Sequence, residues 1–294
     1  MKKLLVIDGN SILNRAFYGI RLLTNKNGLY TNAVYGMANI IEKQIATLKP
    51  DYCVVAFDLK APTFRHNMYE GYKANRKGMP EELAVQLPYA KKCMEYMGAK
   101  VISVEGYEAD DLLGTMAKKF NLQTYIYTGD RDAYQLVDNT TNVCFTKKGV
   151  SDILELSVEN FKDEIGLTPE QIIDLKALMG DSSDNIPGVK GVGEKTAKAL
   201  LQKFGSLDGV YENLESKVIK PKQRENLVTY RDNAYLSYDL ATIRPNAPIE
   251  FNPLDAVVRP YNNQELYNLF VRLEFVKLID KYSLRGAAVE AGGH

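Results

Sequence analysis

The chain has 294 residues, 45% of them hydrophobic and 25% charged, with 37 basic and 37 acidic side chains and a formal net charge of zero. This is the composition of a globular protein with a sizeable core in one or two domains, and no apolar run approaches the roughly 18 residues of a membrane span. With only His66 and His294 present, histidine-based zinc sites and Ser-His-Asp triads are nearly excluded, while the widely spaced Cys53, Cys93 and Cys144 fit thiols in a reducing, cytoplasmic compartment.

At the N-terminus the apolar run Leu4-Leu5-Val6-Ile7 ends on Asp8 and is too short for a signal-peptide core. A strand is expected at 3 to 8, a helical stretch around 32 to 48, and a second strand at 52 to 58 that ends on Asp58. There follow a helix near 81 to 97 interrupted at Pro88, a strand at 100 to 105, a helix from 107, and a strand at 124 to 128 just before Asp130. Apolar runs without alternation are those of strands buried on both faces, and the strand–helix alternation predicts an α/β fold with a mostly parallel central sheet. The carboxyl ends of its strands share one edge, where doubly wound proteins bind ligands. Asp8, Asp58 and Asp130 are expected to converge there, although aspartate after a strand is also an ordinary cap or turn residue.

Between Pro62 and Pro80 the pattern fails, and Phe64, Tyr69 and Tyr72 are interleaved with Arg65, Lys73, Arg76 and Lys77. A basic, aromatic insertion after a strand bearing a candidate ligand reads as a loop over the site. Bases stack on such rings for about 1 to 3 kcal/mol each, while cations follow the phosphate backbone. The plainer alternative is a connection whose tyrosines pack on the core. Lys73 and Arg76 lie three apart, so a helical segment would place them on one face.

More acid follows. Glu108-Ala109-Asp110-Asp111 opens an apolar-periodic stretch, Asp132 lies two residues beyond Asp130, and Asp181 and Asp184 follow a clear helix that ends at Gly180. From about 151 the pattern is mostly helical. Thr168-Pro169-Glu170-Gln171 starts a helix with a capping-box arrangement. Ile186 to Gly193 is a glycine turn, and Glu194 opens the next helix. This is a helix-hairpin-helix pattern, in which Lys190, Gly191, Gly193, Lys195 and Thr196 would grip a phosphate through free backbone amides and side chains.

Two like charges about 4 Å apart cost about 4 kcal/mol at an effective dielectric of 20. A cluster of carboxylates therefore needs protons, separation or cations. Mg²⁺ is held by a few carboxylates while keeping waters for a phosphate substrate, and two such ions about 4 Å apart can hold the attacking and leaving oxygens of a phosphodiester. Zero net charge hides a segregation of this kind, because basic groups at Lys60–Lys77, Lys190–Lys203 and Lys217–Arg224 stand apart from the acids. Acid in one cleft and base around it suits a nucleic-acid enzyme.

The segments Asp8-Gly9-Asn10-Ser11 with Arg15-Ala16-Phe17, Phe57-Asp58, Tyr72-Lys73-Ala74-Asn75-Arg76, Glu108-Ala109-Asp110-Asp111, Thr128-Gly129-Asp130-Arg131-Asp132 and Gly180 to Lys195 together resemble the 5′ nuclease domain of bacterial DNA polymerase I, in the flap endonuclease family. The resemblance implies a metal-dependent nuclease acting on DNA with a 5′ flap, nick or 5′ end, in primer removal, nick translation and repair. Asp8, Asp58, Glu108, Asp110 and Asp111 would belong to one divalent metal, Mg²⁺ or Mn²⁺, directly or through water; Asp130, Asp132, Asp181 and Asp184 would serve a second. Lys73 and Arg76 of a helical arch would stabilise the phosphate in the transition state, Tyr72 would lie near the displaced base, and Arg15 would contact the phosphate. A K⁺ ion near Val189 and Val192 is a further implication.

The expected organisation is a nuclease core at 1–165 with the arch at about 60–90, a helical lobe at 166–282 with the helix-hairpin-helix at about 169–205, and a flexible tail or linker at 283–294. A monomer is expected, free of membranes, either stand-alone or linked to polymerase domains. A haloacid-dehalogenase-type phosphatase needs a second aspartate at position 10, which is Asn10. A non-catalytic DNA-junction binder would have no need of nine acids.

Overall fold

The computed structural model describes residues 1–286. Six strands, β1 (Lys3–Asp8), β2 (Tyr52–Ala56), β3 (Lys100–Ile102), β4 (Gln123–Thr128), β5 (Thr141–Lys148) and β6 (Asp152–Leu156), form one sheet in the order β3-β2-β1-β4-β5-β6. All neighbours run parallel except β6, which is antiparallel to β5. Successive side chains of a strand face opposite ways. Leu4 and Val6 thus join Val54 and Ile126 under the Ala109–Lys119 helix, while Leu5 and Ile7 join Cys53 and Val55 under the helices Gly9–Gly19, Asn32–Leu48 and Leu87–Tyr96. Each fully buried Leu or Ile contributes about 1.5–3 kcal/mol by leaving water.

Register delivers the strand ends together. Asp8 pairs with Ala56 of β2, and Ile7 with Tyr127 of β4, so Thr128 lies level with Asp8 and donates its hydroxyl to Asp8 Oδ2 at 2.8 Å. The second strand stops at Ala56, leaving Asp58 in the turn beyond it, and the strand expected to reach 105 stops at Ile102. The helix expected from 81 to 97 is two, Glu81–Ala84 and Leu87–Tyr96, with Pro88 in the first turn of the second. In the gap between them the buried Gln86 accepts from the amides of Ala33 at 2.8 Å and Val34 at 3.2 Å, starting the Asn32–Leu48 helix.

Two expectations are corrected in detail. The chain from 151 does not turn directly helical, because Asp152-Ile-Leu-Glu-Leu closes the sheet as β6 before the helices begin. The helical arch expected at about 60–90 is broken into short pieces, the turn Phe64–Met68, a run of turns, then Glu81–Ala84 and the start of Leu87–Tyr96, since Gly71, Gly78 and Pro80 break helical continuation.

Beyond β6 the helices Gln171–Met179, Glu194–Phe204, Leu207–Glu212, Pro221–Thr229 and Arg231–Ala241 form the lobe. The chain then returns to the core. Val258 N–H donates to the Asp51 carbonyl at 3.0 Å, Asn262 N–H to the Tyr96 carbonyl at 2.8 Å, and the Asn263–Leu273 helix packs with Leu87–Tyr96 in the second core cluster. The end of the expected 166–282 lobe therefore belongs physically to the sheet. Of the expected tail, residues 287–294 lie outside the described residues. Among the described residues no helix is long and apolar enough to cross a membrane.

Candidate active site

At the carboxyl edge of the sheet lies an open cleft of about 1930 Å³. Asp8, Asp58, Glu108, Asp110, Asp130, Asp132, Asp181 and Asp184 all line it. Asp8 ends β1, Asp58 follows β2, and Glu108 and Asp110 stand at the start of the Ala109–Lys119 helix, whose first amide, Ala109 N–H, donates to Asp58 Oδ1 at 2.6 Å. Asp130 follows β4 and caps the turn that carries Asp132, whose N–H it accepts at 2.9 Å. Asp181 and Asp184 come from the loop after Gln171–Met179, where the bridge between Asp181 and Ile186 closes a short hairpin.

Oxygens of Asp110, Asp130 and Asp132 lie within 4.8 Å of one another, as do oxygens of Asp132, Asp181 and Asp184. Asp132 is common to both groups. Geometry therefore joins Asp110 to Asp130, across the division expected from the sequence, where they served different metals. Asp111 lies elsewhere. Its carboxylate is fully buried, takes two hydrogen bonds from the guanidinium of Arg65 and one from the Arg244 amide, and does not line the cleft.

The acids are closer than free carboxylates tolerate. Burial, and then the neighbouring Asp58, push Asp8 from 3.8 up to about 7. Burial raises Asp58 as well. Burial followed by Asp130 and Asp8 drives Asp110 far up, and burial followed by Asp132 does the same to Asp130. At two acids the direction reverses: burial opposes it, yet Lys73 and Arg65 hold Glu108 below its ordinary value, and Lys176 does so for Asp181, whereas burial keeps Asp184 raised despite Lys73 and Arg76. A donor set made only of carboxylate oxygens, strained toward protonation, fits hard divalent cations.

The arch segment closes over this cluster. Lys73 Nζ donates to Glu108 Oε1, and Arg76 Nη2 lies 2.9 Å from Asp184 Oδ1. Lys73 and Arg76 thus share one side of the cleft, joined by a turn in which Lys73 has a left-handed backbone at φ 55°, instead of by a helix. Tyr72 lines the cleft but is only 5% exposed: its hydroxyl donates to Glu108 Oε1 at 2.8 Å, and its ring packs with Ile186, Leu240 and the edge of His66. Phe64 is occupied too, under the guanidinium groups of Arg65 and Arg244. The aromatic residues of the insertion follow the plainer reading of the sequence and pack inward.

Arg15, on the Gly9–Gly19 helix, donates to the carbonyls of Gly129 at 3.1 Å and Lys147 at 3.2 Å, which sets its guanidinium in the cleft wall. On the glycine turn, Lys190, Gly191, Gly193 and Lys195 are exposed and Thr196 half-buried, beside the start of the Glu194–Phe204 helix. Val189 and Val192 are buried; Val189 N–H donates to the Leu178 carbonyl at 2.8 Å, tying the turn to the preceding helix.

Two residues escape sequence reasoning. Lys176 stands on the inner face of Gln171–Met179 and bridges Asp132 at 2.8 Å and Asp181 at 2.7 Å, so these acids already share a cation. Arg65 reads in the sequence as one more base of the insertion. In the structure it is 3% exposed, with its donors spent on Glu108, Asp111 and the carbonyls of Leu240 and Thr242. The one available signal is the Lys176-to-Asp181 spacing across a helix end.

The comparisons with known proteins agree with one another. DNA polymerase I of Bacillus subtilis (strain 168) is 41% identical over 292 residues, 98% of this chain and 33% of that protein, and DNA polymerase I of Caldicellulosiruptor bescii is 44% identical over 289 residues, 96% and 34%. The chain thus spans about a third of the length of these curated relatives. Among solved structures, T5 5′-exonuclease with bound divalent metal ions (zinc) superposes with a TM-score of 0.68 at 22% identity, covering 83% of this chain and 90% of that one. The catalytic core of Rad2 in complex with DNA substrate gives 0.62 at 17% identity, covering 92% and 88%. These two establish likeness of fold. The family model for the 5′-3′ exonuclease N-terminal resolvase-like domain matches residues 3–166 and that for the 5′-3′ exonuclease C-terminal SAM fold matches residues 167–264, and with the polymerase relatives they show that the chain belongs to the 5′-3′ exonuclease family.

Proposed function

We propose that the cleft hydrolyses phosphodiester bonds at 5′ flaps and 5′ ends of duplex DNA with two divalent cations, Mg²⁺ or Mn²⁺, held by Asp8, Asp58, Glu108, Asp110, Asp130, Asp132, Asp181 and Asp184. The observation that carries this reading is the convergence of these eight carboxylates, from segments up to 176 positions apart, in one open cleft beside Lys73, Arg76 and Arg15. Bound divalent ions would offset the carboxylate charge and polarise water and phosphate oxygens for an in-line displacement.

The chain's own residues do the rest. Lys73 and Arg76, now paired with Glu108 and Asp184, exchange those partners for phosphate oxygens once cations neutralise the acids, and stabilise the charge that develops in the transition state. Arg15 holds a neighbouring phosphate from the opposite wall. Arg65 and Asp111 keep Glu108 and Asp110 in place from behind. The exposed amides and lysines from Lys190 to Thr196 grip the duplex backbone without reading its sequence, and a K⁺ ion at the Val189–Val192 turn belongs to the same proposal.

Such an activity fits primer removal, nick translation and repair in the cytoplasm, and the length of the relatives supports a polymerase on the same polypeptide. The test is a labelled 5′-flap duplex incubated with Mg²⁺ and, separately, with chelator. Cleavage confined to the Mg²⁺ reaction is expected; intact substrate in both would favour a DNA-junction binder instead.

A further inference from the structure

Two asparagines that do not line the cleft hold the segment that carries Lys73 and Arg76. Asn75, on that segment, donates its side-chain amide to the Ser182 carbonyl at 2.8 Å. Asn185, on the acidic loop, donates its own to the Gly71 carbonyl at 2.7 Å. Between them the Lys73 N–H donates to the Asp184 carbonyl at 2.8 Å. The three bonds cross one seam in both directions and bracket Asp184, a carboxylate of the cleft.

The backbone at this seam is unusual on both sides. Lys73 and Asn185 each have φ 55°, in the left-handed region. Asparagine enters that region with ease, because its short polar side chain bonds locally; lysine does not. A lysine stays there where its surroundings over-determine it. At Lys73 the surroundings are its own amide bond to Asp184 and the two asparagine bonds that flank it.

We propose that Asn185 and Asn75 are positioning residues for Lys73 and Arg76. They form a reciprocal clasp that fixes the cationic segment in register with the acidic loop, so that both cations reach the scissile phosphate at the same height as the acids. The proposal rests on the nuclease reading of the cleft. Neither asparagine touches substrate; each acts through the residues it holds, and small misplacements of such groups carry large kinetic penalties.

Asn185→Gly removes the amide while leaving the left-handed backbone freely available, and Asn75→Ala changes an exposed side chain with no core contact. In single-turnover cleavage of a 5′-flap duplex with Mg²⁺, each variant is expected to be slower by about tenfold, with flap affinity in Ca²⁺ changed by less than about twofold. In the DNA-free protein, amide hydrogen exchange from Tyr69 to Lys77 is expected to accelerate in both. Added to Lys73→Ala, Asn185→Gly is expected to cost less than it does in the wild-type background, because one of the two groups it acts through is already removed.

Fully multiplicative losses in that double variant overturn the proposal, as does wild-type exchange in Asn185→Gly. Should the wild-type protein leave the flap uncut, the nuclease reading falls, and the exchange measurement still decides the clasp: acceleration upholds it as a contact, and unchanged exchange removes it.

Discussion

Arg65 and Asp111 meet through two parallel hydrogen bonds, Nη1 to Oδ2 at 2.7 Å and Nη2 to Oδ1 at 2.9 Å, with both side chains buried. The pair joins the start of the arch to the helix that presents Glu108 and Asp110, and Arg65 reaches on to the carbonyls of Leu240 and Thr242. Asp111→Ala strips two hydrogen bonds from the buried guanidinium and leaves Glu108 to balance its charge, so a loss of about 2–4 kcal/mol is expected. Urea unfolding at an unchanged m-value measures it. A loss below about 1 kcal/mol, the worth of a surface ion pair, would mean that the pairing is dispensable.

Asp130→Ala removes an oxygen from the Asp110–Asp130–Asp132 group without touching the glycine turn or Arg15. Cleavage is expected to fall at least about 10³-fold, equivalent to about 4 kcal/mol of transition-state stabilisation. Flap affinity measured in Ca²⁺ stays within about threefold, since phosphate grip by amides and lysines supplies most of the binding. Cleavage at the wild-type rate would remove Asp130 from the mechanism.

The acid cluster sets a pH dependence for the metal-free protein. Burial and Asp58 raise Asp8 from 3.8 to about 7 in the folded state. A carboxylate with a raised native pKa binds more protons folded than unfolded, so its contribution is intact below about 4 and is lost as pH climbs through about 7. Asp8→Asn cannot ionise and keeps an oxygen for the Thr128 hydroxyl. In chelator the variant is expected to melt higher than wild type at pH 8 and to lose that advantage by pH 4. An advantage that grows on acidification would contradict the assignment.

Gly188 and Gly180 face each other at the neck of the acidic loop, with φ of 61° and 69°. A Cβ on Gly188 would lie 2.3 Å from the Gly180 nitrogen. Gly188→Ala combines this overlap with a left-handed backbone, and a loss of about 2–4 kcal/mol is expected. Because the same neck carries Asp181, calorimetric titration with Ca²⁺ is expected to show weaker binding. Unchanged stability and affinity would show that the neck yields freely.

What the sequence reveals here follows from the range of the interactions involved. Asp8, Asp58 and Asp130 are legible because strands buried on both faces leave unbroken apolar runs, and a parallel sheet forces their ends to one edge. The strand Asp152–Leu156 is hidden because it lies at the sheet's edge with one side open, and its Glu155 interrupts the apolar run. Arg65 and Asp111 are 46 positions apart, and Lys176 and Asp132 are 44 apart, so no local pattern records either pair. Tyr72 misleads for a different reason: composition names an aromatic ring among bases, but the direction of that ring is fixed by Ile186 and Leu240 from the lobe.

Asp132 belongs to the segment after β4, whereas Asp181 and Asp184, which complete its group, follow a helix of the lobe. The carboxylate cluster is therefore assembled from both halves of this chain. During synthesis the ribosome releases a sheet, and even an arch, well before the last acids emerge. Synthesis from the N-terminus thus completes the carboxylate set late, because Asp132 gains Asp181 and Asp184 only after the sheet and the arch segment have been made.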